Sequence, residues 1–283
     1  MRDQAFQLRN LVNKANQRRQ QLSGPRPKLV VAMGGKGGVG TTTIAVNAAV
    51  AMSLQGARVV LVDAGMYRAD VATMCGLTER RTVADVLTAR NDIHEILERG
   101  PGGLLVVPGL WAPESAEPTN DSAQQRLVNQ LANLGDHADL VVVDTGSSGP
   151  MVRKFCEVAD EILIVTTPDN VAVMDSYATI KTLLAPLDPS SMKLVVNQVQ
   201  SAEAAQDVST RIGQSCQKFL NLDIELAGWI PTARIVNLGT GHQPLVIEQS
   251  SSLTALAITK LAMSLAAVNS SQTNDPNSRR AAA

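Results

Sequence analysis

The chain has few aromatic rings. Three Phe, two Trp and two Tyr make up 2% of its 283 residues. A core must then be filled by Val, Leu, Ile and Ala. A surface that stacks nucleobases on rows of aromatics is not expected, and neither is a nucleic-acid partner. Cysteine is equally scarce. Cys75, Cys156 and Cys216 are isolated, odd in number and form no CxxC pair. That disfavours a disulfide framework and a zinc or iron–sulfur centre. His94, His137 and His242 are scattered, with no Cys or second His close by in sequence, so no metal role is expected for them. No apolar run approaches the ~18 residues needed to cross a bilayer. The first nine residues carry charges where a signal peptide is apolar, and a cytoplasmic location is expected.

What is present is apolar aliphatic material, 45% hydrophobic against 18% charged residues, enough for a large core in one or two domains. The formal charge of −1 conceals an asymmetry. Residues 1–28 hold seven basic side chains (Arg2, Arg9, Lys14, Arg18, Arg19, Arg26, Lys28) and one acidic, Asp3, a net +6. The remainder holds 18 basic and 25 acidic residues, a net −7. A basic arm precedes an acidic body.

Within the arm, residues 1–22, Ala5, Leu8, Val12, Ala15 and Leu22 recur at steps of three, four or seven, which predicts a helix. Ser23-Gly24-Pro25-Arg26-Pro27 breaks it and forms a linker, residues 23–27. From 28 to 268 short β-branched runs alternate with helical stretches. The runs are Leu29–Met33, Arg58–Val62, Leu104–Val107, Leu140–Val143, Glu161–Val165, Lys193–Val196 and Glu225–Ile230. Near-continuous apolar strands alternating with helices predict an α/β domain with a mostly parallel, helix-covered sheet of about seven or eight strands. Ligands of such sheets bind beyond the carboxyl ends of the strands. A last helix is predicted over 253–268. The polar, Ala-rich residues 269–283 predict disorder and carry no large apolar residue to bury in lipid, so no membrane-targeting helix is read there.

After the first strand stands Gly34-Gly35-Lys36-Gly37-Gly38-Val39-Gly40-Thr41-Thr42-Thr43, followed by a predicted helix to Leu54. Glycines let successive N–H groups point inward at phosphate oxygens, and the helix N-terminus adds its positive dipole end. Thr42 stands where the pattern G-x-x-x-x-G-K-[ST] places a hydroxyl for Mg²⁺, whereas the lysine of that pattern is replaced by Thr41.

The loop resembles the deviant Walker A motif of the MinD/ParA family of dimeric ATPases. The resemblance implies a P-loop fold, ATP and Mg²⁺ as ligands, residues 35 and 37–43 as the phosphate cradle, and an ATP-dependent homodimer. It gives Lys36 the place of the signature lysine, which reaches the partner subunit's nucleotide. Asp63-Ala64-Gly65 resembles the family's D-x-D, so Asp63 lies near the metal, while Gly65 replaces the aspartate that orients the attacking water. Asp144-Thr145-Gly146 resembles the Walker B and switch II segment, whose aspartate holds Mg²⁺. Asn197 takes the place of the amide that reads adenine. Trp229-Ile230-Pro231 resembles the loop against the base, although Thr232, Ala233 and Arg234 follow where an Asp is usual. The resemblance thus casts Lys36 and Asp63 as catalytic residues and Thr42 and Asp144 as metal ligands, with Asn197 and Pro231 at the base.

Two segments are similar to the FlhG branch, regulators of flagellar number and placement. Asp3, Gln4, Ala5, Leu8 and Arg9 fit D-Q-A-x-x-L-R, which implies an FlhF-type signal-recognition GTPase as partner of the arm, and flagellar basal-body components as further partners. Thr166-Thr167-Pro168-Asp169 and Asp175–Lys181 resemble the branch's T-T-P-E and D-A-Y-A-x-I-K segments. Three readings stay open: a FlhG-like switch with hydrolysis weak or lost, an active positioning or partitioning ATPase, and a scaffold that binds no nucleotide. Cysteine patterns exclude the iron–sulfur relatives, and a tail without Tyr excludes the tyrosine-kinase relatives.

Overall fold

The computed structural model describes residues 26–65, 70–78, 81–109, 120–147, 149, 151–232 and 243–267. The expected arm 1–22, most of the linker, Ser148, Ala233, Arg234 and the tail 269–283 lie outside these residues.

The strands are β1 (Lys28–Gly34), β2 (Val59–Asp63), β3 (Glu98–Arg99), β4 (Leu105–Val107), β5 (Leu140–Asp144), β6 (Glu161–Thr166), β7 (Met192–Val199) and β8 (Glu225–Pro231). The helices are α1 (Thr41–Leu54), α2 (Asp70–Cys75), α3 (Val83–Leu87), α4 (Asp121–Ala132), α5 (Val152–Val158), α6 (Asn170–Thr179), α7 (Ala202–Leu220), α8 (Leu245–Glu248) and α9 (Leu253–Ala266). They form one α/β domain whose eight-stranded sheet has the order β3-β4-β2-β5-β1-β6-β7-β8. Every pairing is parallel except β3 with β4.

The strand sequences explain this arrangement. In β1, Leu29, Val31 and Met33 enter one core, while Val30 and Ala32 enter the other. Strand β2 divides likewise, Val60 and Val62 against Val59 and Leu61. A period of two with both faces buried requires helices on both sides. Helices α3, α4, α5 and α7 cover the first face, and α1, α8 and α9 the second. Helix α1 is buried without interruption from Ile44 to Met52, so it is a central packing element as well as the wall of a site.

All seven apolar runs are strands, with ends that coincide or shift by up to three residues. The added strand is β3, an antiparallel edge of two residues, Glu98 and Arg99, with no apolar signal to announce it. The last helix stops at Ala266, before the predicted 268. Among the described residues no helix is long and apolar enough to cross a membrane.

The path also locates the site. From β1 the chain passes to β2 on one side, and from β5 to β6 on the other, with β5 and β1 adjacent at the centre. Such a divergence opens a crevice beyond the carboxyl ends of the central strands.

Candidate nucleotide site

The crevice is bounded by the loop between β1 and α1. Gly38 and Gly40 have φ of +85° and +90°, a region that side-chain-bearing residues avoid. Gly40 is the N-cap of α1 and supplies no side chain, so the first N–H groups of α1 remain available to a ligand. Gly37 and Gly38 are exposed, while Val39 is buried and anchors the loop in the core. Gly35 lies under α6: a Cβ on it would stand 2.4 Å from the backbone N of Ser176. Switch residues close the other wall. Gly34 N–H donates to the Gly146 carbonyl at 2.8 Å, and Thr145 N–H and Oγ1 both donate to the Ala32 carbonyl, at 3.0 and 3.1 Å.

Two aspartates face each other across the strand ends. Asp63 and Asp144 are register partners of β2 and β5, each 1% exposed. Asp144 Oδ1 accepts from Gly146 N–H at 3.1 Å, and its carboxylate also accepts a hydrogen bond from the Thr42 side chain. Burial pushes the Asp144 carboxyl up to about 6, against those two hydrogen bonds. Asp63 Oδ1 accepts from Gly65 N–H at 3.0 Å, while Oδ2 is buried with no hydrogen-bond partner among the described residues. Burial first, and then the neighbouring Asp144, hold the Asp63 carboxyl well above the usual carboxylate range. Two carboxylates and a hydroxyl, one oxygen orphaned, form a hard oxygen donor set suited to Mg²⁺. Thr166 Oγ1, at the end of β6, is a second buried orphan at the same edge of the sheet.

The remaining predicted residues fall as follows. Lys36 Nζ lies 2.9 Å from Asp169 Oδ2 of its own chain, and that aspartate also caps α6 by accepting from Ala172 N–H at 3.1 Å. The Lys36 ammonium beside it holds the Asp169 carboxyl below its usual range. Thr41 is 5% exposed and turns inward, its Oγ1 2.7 Å from where a Cβ on Gly34 would stand. Thr43 lends its carbonyl to Asn47 Nδ2 at 2.8 Å. Asn197 is buried under the loop, donating from Nδ2 to the Val39 carbonyl at 2.8 Å and accepting from Gln198 N–H at 2.9 Å. It therefore braces the phosphate loop, a task the strand-end position alone does not reveal. Pro231 ends β8, and its carbonyl accepts from Thr254 Oγ1 at 3.2 Å. The residues that follow from 233 to 242 are outside those described.

The sequence reading misses Gly109, just past β4. A Cβ there would come within 2.5 Å of Asp63 Cγ, so glycine is needed for Asp63 to fit. A glycine closing a strand beside the Asp63 strand is the only available hint. It also misses the contact of His94 with His137, whose rings meet at a tilt of 44° with centroids 4.9 Å apart at the opposite end of the sheet. Among the described residues no group of three or more His, Cys, Asp or Glu is placed to hold a metal ion.

Comparison with known proteins agrees with this geometry. Residues 28–190 match a family model described as an AAA domain. The antiactivator FleN of Pseudomonas aeruginosa is 31% identical over 230 residues, spanning 81% of this chain and 82% of FleN. The flagellum site-determining protein YlxH of Helicobacter pylori is 28% identical over 239 residues, 83% and 80% of the two chains. Among solved structures, the septum site-determining protein MinD of Pyrococcus horikoshii complexed with Mg-ADP superposes with a TM-score of 0.68 over 84% of this chain and 96% of that one, at 21% identity. With a family model matched over more than half its length and a relative at 31% identity across four-fifths of it, the chain belongs to the MinD/ParA family of P-loop ATPases, on its FlhG-like branch.

Proposed function

We propose that this chain regulates flagellar assembly or placement. In this reading it binds ATP with Mg²⁺, hydrolyses it very slowly, and presents its N-terminal arm to an FlhF-type GTPase. The observation that carries the reading is an oxygen donor set kept whole beside two side chains that are gone. Thr42, Asp63 and Asp144 remain converged at one strand edge. Position 41 holds a short side chain turned inward, and position 65 holds a glycine that offers only its N–H, already given to Asp63.

Bound Mg²⁺ would supply the positive charge that neutralises phosphate oxygens. The chain's own part is to wrap those oxygens with the N–H groups of residues 37–43 and to hold the cation through Thr42 and Asp144, with Asp63 close by. Nothing at position 41 bridges the outer phosphates, and nothing at 65 orients a water. Losing one preorganised donor costs on the order of 10²–10³ in rate, and here two groups are absent. Lys36 is the side chain placed to serve a second subunit in an ATP-dependent homodimer once it leaves Asp169. The name of YlxH, a flagellum site-determining protein, supports the flagellar role. Asp3, Gln4, Ala5, Leu8 and Arg9 are the residues proposed to meet the GTPase, with Arg9 set against developing phosphate charge. Basal-body components are the further partners proposed for the body of the domain.

The test is to mix the chain with an FlhF-type GTPase and follow GTP turnover. Turnover rises with the intact chain and returns to the basal rate when residues 1–22 are deleted. Stimulation that survives the deletion contradicts the role given to the arm.

A further inference from the structure

We infer that Gln198 is the residue that selects adenine nucleotides at the phosphate loop. The inference rests on the nucleotide reading above and adds to it the side chain that meets the base.

The first observation is backbone conformation. Among the described residues, three that carry side chains have positive φ: Ala89, Gln198 and Asn221, at 58°, 58° and 55°. Ala89 and Asn221 follow helices α3 and α7, where a left-handed residue is an ordinary way to end a helix. Gln198 ends no helix. It lies within β7, at a break in the register against β8. Asn197 pairs with Ile230 and Val199 with Pro231, so Gln198 is the extra residue of a bulge. Glycine takes this conformation without strain, whereas a residue with a Cβ does not. A bulge re-aims a side chain, and the one re-aimed here is exposed.

The second observation is position. On one side of Gln198, Asn197 Nδ2 donates to the Val39 carbonyl of the phosphate loop at 2.8 Å. On the other side, Val199 pairs with Pro231, and its carbonyl accepts from Thr232 N–H at 3.0 Å. Gln198 therefore stands between the phosphate loop and the end of β8, on the carboxyl edge of the sheet. Ligands of such sheets bind along that edge.

The third observation is which amide is available. Asn197 is 7% exposed, with Nδ2 on the Val39 carbonyl and Oδ1 accepting from Gln198 N–H at 2.9 Å. Its amide is spent on the protein, and the amide open to a ligand is that of Gln198. A carboxamide carries a donor beside an acceptor. Adenine offers the matching pair, the N6 amino group beside N7, whereas guanine offers two acceptors on that edge. Gln198 can thus make two hydrogen bonds to adenine and one to guanine.

The experiment is calorimetric titration of the full chain, in Mg²⁺, with ATP, GTP and inorganic tripolyphosphate as probes. Wild type is compared with Gln198→Gly, which accepts the left-handed backbone and keeps the fold. In the variant ATP affinity falls about tenfold and the preference for ATP over GTP is lost. Tripolyphosphate, which has no base, binds both proteins equally. Unchanged ATP affinity overturns the inference and leaves the nucleotide site standing. An equal fall for ATP and tripolyphosphate also overturns it, since Gln198 would then act on the loop and not on the base. A wild type that binds none of the three probes overturns the nucleotide reading itself.

Discussion

Asp63 and Asp144 sit opposite each other in register at the ends of neighbouring strands, both 1% exposed, with one oxygen of Asp63 left without a hydrogen-bond partner among the described residues. Two buried carboxylates side by side destabilise a folded chain unless something positive lies between them. In the function proposed above, that positive charge is a bound Mg²⁺.

That relationship makes stability depend on pH. Burial raises Asp144 from 3.8 to about 6. A carboxyl raised in the folded state holds its proton more tightly there, so the part of stability set by Asp144 falls as pH rises from about 4 to about 6, and Asp63, also raised by burial, carries the fall to higher pH. At pH 7.5 without Mg²⁺, Asp144→Asn raises the unfolding free energy by on the order of 3 kcal/mol. Denaturant unfolding checks it. Adding Mg²⁺ stabilises the wild type and leaves the Asn variant nearly unchanged. An Asn variant less stable than wild type at that pH contradicts the reading.

Gly35 and Gly37 separate packing from binding. A methyl at Gly35 meets the backbone of Asp175 and Ser176 at 2.4–2.6 Å, so Gly35→Ala must push α6 off the loop. The expected loss is about 2–3 kcal/mol by chemical denaturation. A methyl at Gly37 meets only Ser147 Oγ, at 3.9 Å. Gly37→Ala unfolds within about 0.5 kcal/mol of wild type, while ATP binding weakens as the methyl enters the cradle.

Asn197 braces the loop through the Val39 carbonyl. Asn197→Ala leaves that buried acceptor unpaired, at a cost of about 1–3 kcal/mol. Asn197→Asp is worse at neutral pH, because a carboxylate offers no proton to the carbonyl. Thermal unfolding of the two variants gives the ranking Asn, Ala, Asp from most to least stable.

The Lys36–Asp169 pair is half exposed and holds little of the fold, so charge and cap can be told apart. Asp169→Asn keeps the acceptor for Ala172 N–H and shifts Tm by less than about 2 °C. Asp169→Ala removes the cap and lowers Tm by about 2–4 °C. Equal shifts for the two variants contradict this division.

The central sheet is legible in the sequence because each of its strands is buried on both faces, and the buried apolar runs say so directly. Strand β3 is not, because Glu98 and Arg99 pair only at an edge and neither is a buried apolar residue. The phosphate loop is legible for a backbone reason, its glycines, as are Asp63 and Asp144 at strand ends. What distant residues do together is not. His94 and His137 are brought into contact only by the folded chain. The fit of Gly109 against Asp63 is a three-dimensional constraint with a one-letter trace. The strand-end position of Asn197 points to a base, whereas its bond to Val39 depends on how β7 approaches the loop.

The central claim is that the chain keeps a nucleotide site and lacks the side chains for fast hydrolysis. One paired measurement addresses it: calorimetric titration with ATP and Mg²⁺, alongside ATP turnover, for the wild type and for Thr41→Lys with Gly65→Asp. The account predicts micromolar binding with turnover at background in the wild type, and turnover well above background in the double variant. Rapid wild-type turnover abolished by Asp144→Ala, or no binding at all, would contradict it.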